Sequence, residues 1–336
     1  MELSRTLKQL ILIFAVIFAF TGCSSKKVFE PKNIKDDWQF CGTSEEKIVD
    51  ISSDVAMLEN RKVLLKDRLI DNTVEESFRL LGSSDGWVLS STIDGQLNMD
   101  YIEDKSMKKK FNLKKTIAAA SIKDDILAVL FADNEMALYS VSGESLLVKV
   151  QGSAPVVVDA RVVNPYFMND LVLFLTLDGK IVIVNSSLKK KLRTTIVSSE
   201  ENFNNIIYFN VVDNKLIAAT GTKMLSMSTK EIRASYEIRN IVYSGTSIFI
   251  TTKQGEIVSL TPDLQVNAKV KFPFAHFLGL IVHNDKIYAL EKEGYLIEIS
   301  KDLLQHSVYE VDIDEGYVFV ADKMFYVDDE YISLEQ

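Results

Sequence analysis

Few side chains in this 336-residue chain have the type and spacing that chemistry requires. Three histidines, His276, His283 and His306, are the natural candidates for proton transfer or metal binding. His276 and His283 are seven apart, which is not the spacing of a zinc-binding helix. In a strand that odd separation puts them on opposite faces, so imidazoles with no shared task are expected. Acidic runs occur at Asp312-Ile313-Asp314-Glu315-Gly316 and Asp328-Asp329-Glu330, of which the first could offer oxygens to calcium. They lack the twelve-residue spacing of a calcium loop and read as solvated turns. Cys23 and Cys41 are the only cysteines, too few for a disulfide framework or a thiolate metal cluster. Cys41, alone in a polar leading segment, is expected to be incidental rather than a nucleophile. The lysine runs 108–110 and 189–191 follow hairpins and read as guards on outer strand edges rather than as a docking patch. No G-x-S-x-G, H-E-x-x-H or glycine-rich phosphate cradle occurs. The expectation is a protein that is not an enzyme, with no catalytic residue, metal or cofactor. A formal net charge of −9 argues against nucleic acid as a partner.

The elements that would position these residues are hairpins. Residues 169–185, NDLVLFLTLDGKIVIVN, give two apolar strands across Leu177-Asp178-Gly179. Asp-Gly between β-branched runs predicts a primed turn, whose residues must tolerate positive φ. The figure recurs, with turns at Gly95, Asn134, Gly179, Thr222, Gly255 and Gly294 spaced 39, 45, 43, 33 and 39 residues apart. A repeat of ~40 residues, one hairpin with flanking strands, predicts an all-β β-propeller. Hairpins over 55–65 and 317–327 complete eight four-stranded blades, or seven if these two least regular units are not both blades. A first strand is read before the fourth hairpin over 154–159. The last unit lacks a strand, and 47–51 is the expected donor that closes the ring and removes an open edge.

Residues 1–22 read as an export leader: Arg5 and Lys8, an apolar run over 10–20, then Thr21-Gly22 before Cys23. That run is shorter than the ~20 residues of a spanning helix. The junction resembles the lipobox of bacterial lipoproteins, although Phe20 stands where leucine is usual. The resemblance implies that Cys23 is the lipidated mature N-terminus. Residues 23–46 are then the lipidated end and a flexible tether, polar and aperiodic with Pro31, and 47–336 are the propeller. Ser24 fits delivery to the outer membrane, facing the periplasm.

The repeat units resemble the pyrroloquinoline-quinone-like type, best in Leu177-Asp178-Gly179-Lys180-Ile181-Val182-Ile183-Val184-Asn185. WD40 signatures and the family's tryptophan docking motif are absent. A lipoprotein carrying such a propeller is similar to the propeller subunit of the outer-membrane β-barrel assembly machinery. The resemblance implies a non-catalytic scaffold that binds envelope proteins, in outer-membrane protein assembly, with membrane contact through the N-terminal lipid. The alternative is a quinone-dependent dehydrogenase-like or other ligand-binding propeller. That would need a calcium-ligating set and an aromatic or disulfide platform, against which stand only Trp38 and Trp87 and no vicinal cysteines. Candidate contact loops are 164–169, 198–205 and 271–276. The last leads to the partner contacts Phe272, Phe274, His276 and Phe277, an aromatic cluster that reads equally as an internal plug between blades.

Overall fold

The computed structural model describes residues 27–44 and 46–335, all in strands and their connections, so Cys23 and the leader lie outside the described residues. Eight antiparallel sheets follow one another around a ring. Seven of them cover 48–73, 79–112, 117–151, 166–196, 208–235, 238–271 and 277–310, each with its four strands in sequence order. The eighth combines Val318–Val320, Met324–Val327 and Glu330–Ser333 with Cys41–Thr43 from the N-terminal segment. First strands of neighbouring blades touch one another, as Arg79–Ser84 meets Ile117–Lys123, so the first strands line the axis. The outer strands Lys108–Asn112 and Lys190–Ile196 carry the two lysine runs on exposed edges.

Alternation along each strand builds the ring. In the fourth blade Val172 and Phe174 pack toward the third blade, while Leu173 and Leu175 pack toward the fifth. A buried cluster fills each of the eight junctions in this way. Full burial of each such side chain contributes roughly 1.5–3 kcal/mol, and every blade depends on two neighbours for it.

The turns between second and third strands differ from the expected primed form. Gly179 alone has positive φ, at 77°, and the Thr176 amide donates to the Lys180 carbonyl at 2.9 Å. This is a three-residue loop, a type I turn closed by a left-handed residue. Thr176 Oγ1 accepts the Lys180 amide at 2.9 Å. Thr92 and Thr252 do the same for Gln96 and Glu256, each at 3.1 Å. A Cβ on Gly179 would meet the Ser198 carbonyl at 2.6 Å. Turns with two consecutive positive φ values occur at the opposite end of the blades, at Asp213-Asn214 and Asn284-Asp285.

Three expectations about strands are corrected. The closing strand is Cys41–Thr43, paired Cys41 with Ile332, Gly42 with Tyr331 and Thr43 with Glu330. The segment expected for that role holds Ile48–Ile51, the first strand of blade one, where Ile48 packs with Phe319 and Ala321 across the closing junction. Its apolar pattern suits an axial strand, whereas the outer closing strand is held by backbone bonds. In the last blade, 317–327 contains the first and second strands rather than the second and third. The apolar run expected as a strand over 154–159 is an exposed loop, and blade four begins at Tyr166–Met168.

Residues 27–40, expected as tether, are a strap laid on the ring. Phe29 is buried, with edge contacts to Phe272 and Tyr295 at 6.0 and 5.7 Å between centroids. Asp36–Asp37 adds a fifth strand, parallel to His306–Glu310. Trp38 packs on Tyr309 at 4.9 Å and donates from Nε1 to the Ser333 carbonyl at 2.9 Å. Beneath it burial, with Glu298 beside it, pushes the Tyr288 phenol up to about 12. Single anchors joined by irregular backbone leave no period in a sequence, which is why this strap looks like a linker.

Candidate interaction surface

The connection 272–276 joins the outer strand of blade six to the first strand of blade seven. Phe272 is 4% exposed and Phe277 2% exposed, both inside the junction of those blades. Of the named aromatics there, only Phe274 points outward, 56% exposed, with φ at 68°. The cluster is therefore divided: two residues plug the junction and one faces out. His276 faces the axis. Its backbone amide donates to Glu291 Oε1 at 2.7 Å, and its Nε2 lies 2.8 Å from Arg239 Nη1. Guanidinium only donates, so His276 Nε2 accepts. Glu291 is fully buried and also accepts the Glu293 amide at 2.7 Å. Burial pushes its carboxyl up, against these amide bonds. Burial, and then the Arg161 charge, pull the Arg239 guanidinium below its ordinary value.

Residues 159–164 lie along the axis, a role the sequence did not suggest for either the expected strand ending at Asp159 or the expected contact loop beginning at Asn164. Arg161 holds Asp159 through two nitrogens, at 2.9 and 2.5 Å, and donates to the carbonyl of Arg239 in blade six at 2.5 Å. Burial raises the Asp159 carboxyl, but the Arg161 hydrogen bond and charge outweigh it and hold the group below the usual carboxylate range. Asn205, ahead of blade five, accepts the Asp159 amide and donates to the Arg161 carbonyl at 2.6 and 2.9 Å. Asn164 donates to the Leu81 carbonyl in blade two at 3.1 Å and accepts the Ala120 amide in blade three at 3.3 Å. The polar groups in this axial segment are thus largely committed to each other and to the inner strands.

Above that segment is an apolar patch. Val156 is 78% exposed, Val157 and Val158 are also exposed, and Phe203 is 56% exposed. The Phe203 amide donates to the Val157 carbonyl at 2.9 Å, so the two loops form one surface. Outer strands return to their own turns at this end, as Val197 does to Gly179 and Phe272 to Gly255, both at 2.8 Å. The turns and the blade-to-blade connections therefore share one face of the ring. Of the expected contact loops, 198–205 presents Phe203 but buries Asn204 and Asn205, and 164–169 turns Asn164 inward. The signal for the patch was the 45-residue spacing from Asn134 to Gly179, the longest of the series, whose surplus residues form this loop.

Among the described residues no three metal-ligating side chains gather, and the histidines are dispersed. Cys41 lies in the closing strand, its Sγ donating to the Trp38 carbonyl at 3.3 Å. Partial burial, then the Glu330 and Asp312 charges, push its thiol up, the reverse of nucleophile activation.

No protein-family model matches the chain. The plasminogen-binding protein PgbB of Helicobacter pylori strain J99 is 27% identical over 94% of this chain and 67% of its own length. That of strain 26695 is 26% identical over 94% and 66%. The chain thus spans about two thirds of the length of these curated relatives. Among solved structures, BamB from Moraxella catarrhalis superposes with a TM-score of 0.65 at 13% identity, covering 87% of this chain and 97% of that one. The C-terminal WD40 domain of Sif2 gives 0.64 at 10% identity, covering 90% and 100%. The fold is that of a BamB-like eight-bladed β-propeller.

Proposed function

We propose that this chain is a non-catalytic scaffold of the bacterial cell envelope, anchored through a lipid on Cys23, that docks other proteins on the face carrying Val156–Val158 and Phe203. The observation that carries the reading is this patch, apolar and exposed yet fixed from below by Asp159, Arg161 and Asn205. A rigid platform presenting apolar loops lowers the ordering cost of binding. Exposed apolar surface of this kind marks interaction sites in soluble domains. The relatives named for plasminogen binding support a protein partner, and the BamB-like fold supports an assembly role at the outer membrane. The axis favours docking over a quinone-type site, because the chain's own segment 159–164 occupies it.

The test is crosslinking recovery of partners from intact cells with Val156→Asp and Phe203→Ala. Loss of the recovered partners with unchanged melting is the expected result. Wild-type recovery with both variants would remove this face from the function. Plasminogen, tested directly on the purified chain, distinguishes a host partner from an envelope one.

A further inference from the structure

The strap and the connection 271–274 enclose a groove of about 1160 Å³, lined by residues 27–35, 271–274 and 306–308. Its character differs from the rest of the molecule. Lys27, Lys32 and Lys271 gather there against the one carboxylate of Glu30, in a chain of net charge −9, while Lys35 turns its ammonium to the Tyr309 hydroxyl at 2.8 Å. Exposed apolar side chains rise between them: Val28, Ile34 and Phe274. Lys27 Nζ lies over the Phe274 ring, 5.4 Å from its centroid. The floor is rigid, since Phe29 is buried against Phe272 and the Lys35 amide donates to the Val308 carbonyl at 2.9 Å. Asp36 and Asp37 lie outside the groove lining, beyond Lys35.

We propose that this groove is a seat for an anionic phospholipid surface. Aromatic and aliphatic side chains among lysines match the interface between headgroups and acyl chains, which takes apolar groups and attracts cations. Chain length supplies the second argument. Four peptide units separate Cys23 from Lys27, a reach of at most about 14 Å. An acyl chain on Cys23 therefore holds this rim within about a Debye length or two of the headgroups. The inference rests on acylation of Cys23. It also sets orientation: the junction of blades six and seven faces the membrane. The Val156–Val158 loop, between blades three and four, shares the turn-bearing face with the connection 272–276 and stands three blades away from it in a ring of eight.

The experiment places an environment-sensitive dye at Phe274→Cys in a Cys41→Ser background, in the full chain purified from membranes and reconstituted into vesicles. A label at Ile93→Cys, on an 80% exposed residue of blade two, is the reference. The seat predicts quenching of the 274 dye by lipid-borne quenchers in phosphatidylglycerol vesicles, none at 93, and a smaller effect in pure phosphatidylcholine. Lys27→Ala, Lys32→Ala and Lys271→Ala should each reduce the preference for anionic vesicles roughly fivefold. Equal quenching at 274 and 93, with acylation verified by intact mass, overturns the seat. So does a 274 dye shielded from aqueous quencher in cell envelopes but untouched by lipid quencher, which would make Phe274 a protein contact. If the mass shows Cys23 unmodified, the anchor reading fails by itself. The seat is then judged on soluble protein that also carries Cys23→Ser, so that 274 is its one labelled thiol, mixed with phosphatidylglycerol vesicles: quenching at 274 supports it, and its absence overturns it.

Discussion

Phe272, Phe274 and Phe277 lie on one short connection, yet burial separates them. Truncating a well-packed phenylalanine to alanine costs about 3–5 kcal/mol through lost transfer energy and the residual cavity. Phe272→Ala and Phe277→Ala should therefore lower Tm substantially, whereas Phe274→Ala should leave the melt within about 0.5 kcal/mol of wild type. Equal losses at all three would contradict the outward placement of Phe274. A second residue-scale expectation concerns acid. Burial raises the Asp178 carboxyl, but hydrogen bonds from Lys180, Thr176 and Asn134 outweigh it and hold the group below the usual carboxylate range. A depressed folded-state pKa means that the stabilisation is present at neutral pH and disappears as pH falls through that value. Melts of Asp178→Asn should accordingly lie below wild type at pH 7 and converge with it toward pH 3. A gap that stays constant with pH would show that the carboxylate's charge contributes nothing.

At the scale of elements, the closing strand is the weak place in the ring. Gly42 stands opposite Tyr331, and a Cβ there would meet the Tyr331 ring at 2.5 to 2.9 Å. Gly42→Val should displace Cys41–Thr43 from the eighth blade and lower Tm. Removing residues 24–28 should cost far less, because Phe29 and all the strap's strands remain. Identical melts for the two variants would show that the ring does not close through Gly42. The contrast between these strands also explains what was legible. The hairpins were readable because β-branched runs flank Asp-Gly and both faces of each strand are buried, as in Leu171–Leu175. The closing strand was not, because Cys-Gly-Thr is only three residues long, is interrupted by glycine and buries no face, so that backbone pairing chiefly holds it. Val156-Val157-Val158 misled in the opposite direction. Its composition is that of a strand, but the axial segment behind it fixes it as an exposed loop. Phe274 was found from composition, while of the lysines around it only Lys271 is near in sequence and Lys27 and Lys32 come from a distant strap.

For the whole molecule, the question is how blades that touch only their neighbours behave as one body. The junction clusters couple adjacent blades, and in a purely nearest-neighbour ring a local defect would stay local. The axial segment adds a different kind of link. Through Asp159, Arg161 and Asn164 it bonds to blades two, three and six and to the approach to blade five. Arg161→Ala removes the partner of Asp159 and leaves the Arg239 carbonyl without that donor. Both side chains are partly solvated, so the cost should fall in the range of about 1–3 kcal/mol rather than the larger penalty of a fully buried pair. Its distribution is the informative part. Amide exchange should accelerate in Ile238–Ser244 of blade six as well as in the loop 152–165, although blade six is far from that loop in sequence. Partner recovery should fall too, with Val156, Val157, Val158 and Phe203 chemically intact, because the patch would lose its fixed support. Exchange that quickens only within 152–165, with partner recovery unchanged, would mean that the axis merely fills space and that the docking face is held by its own loops.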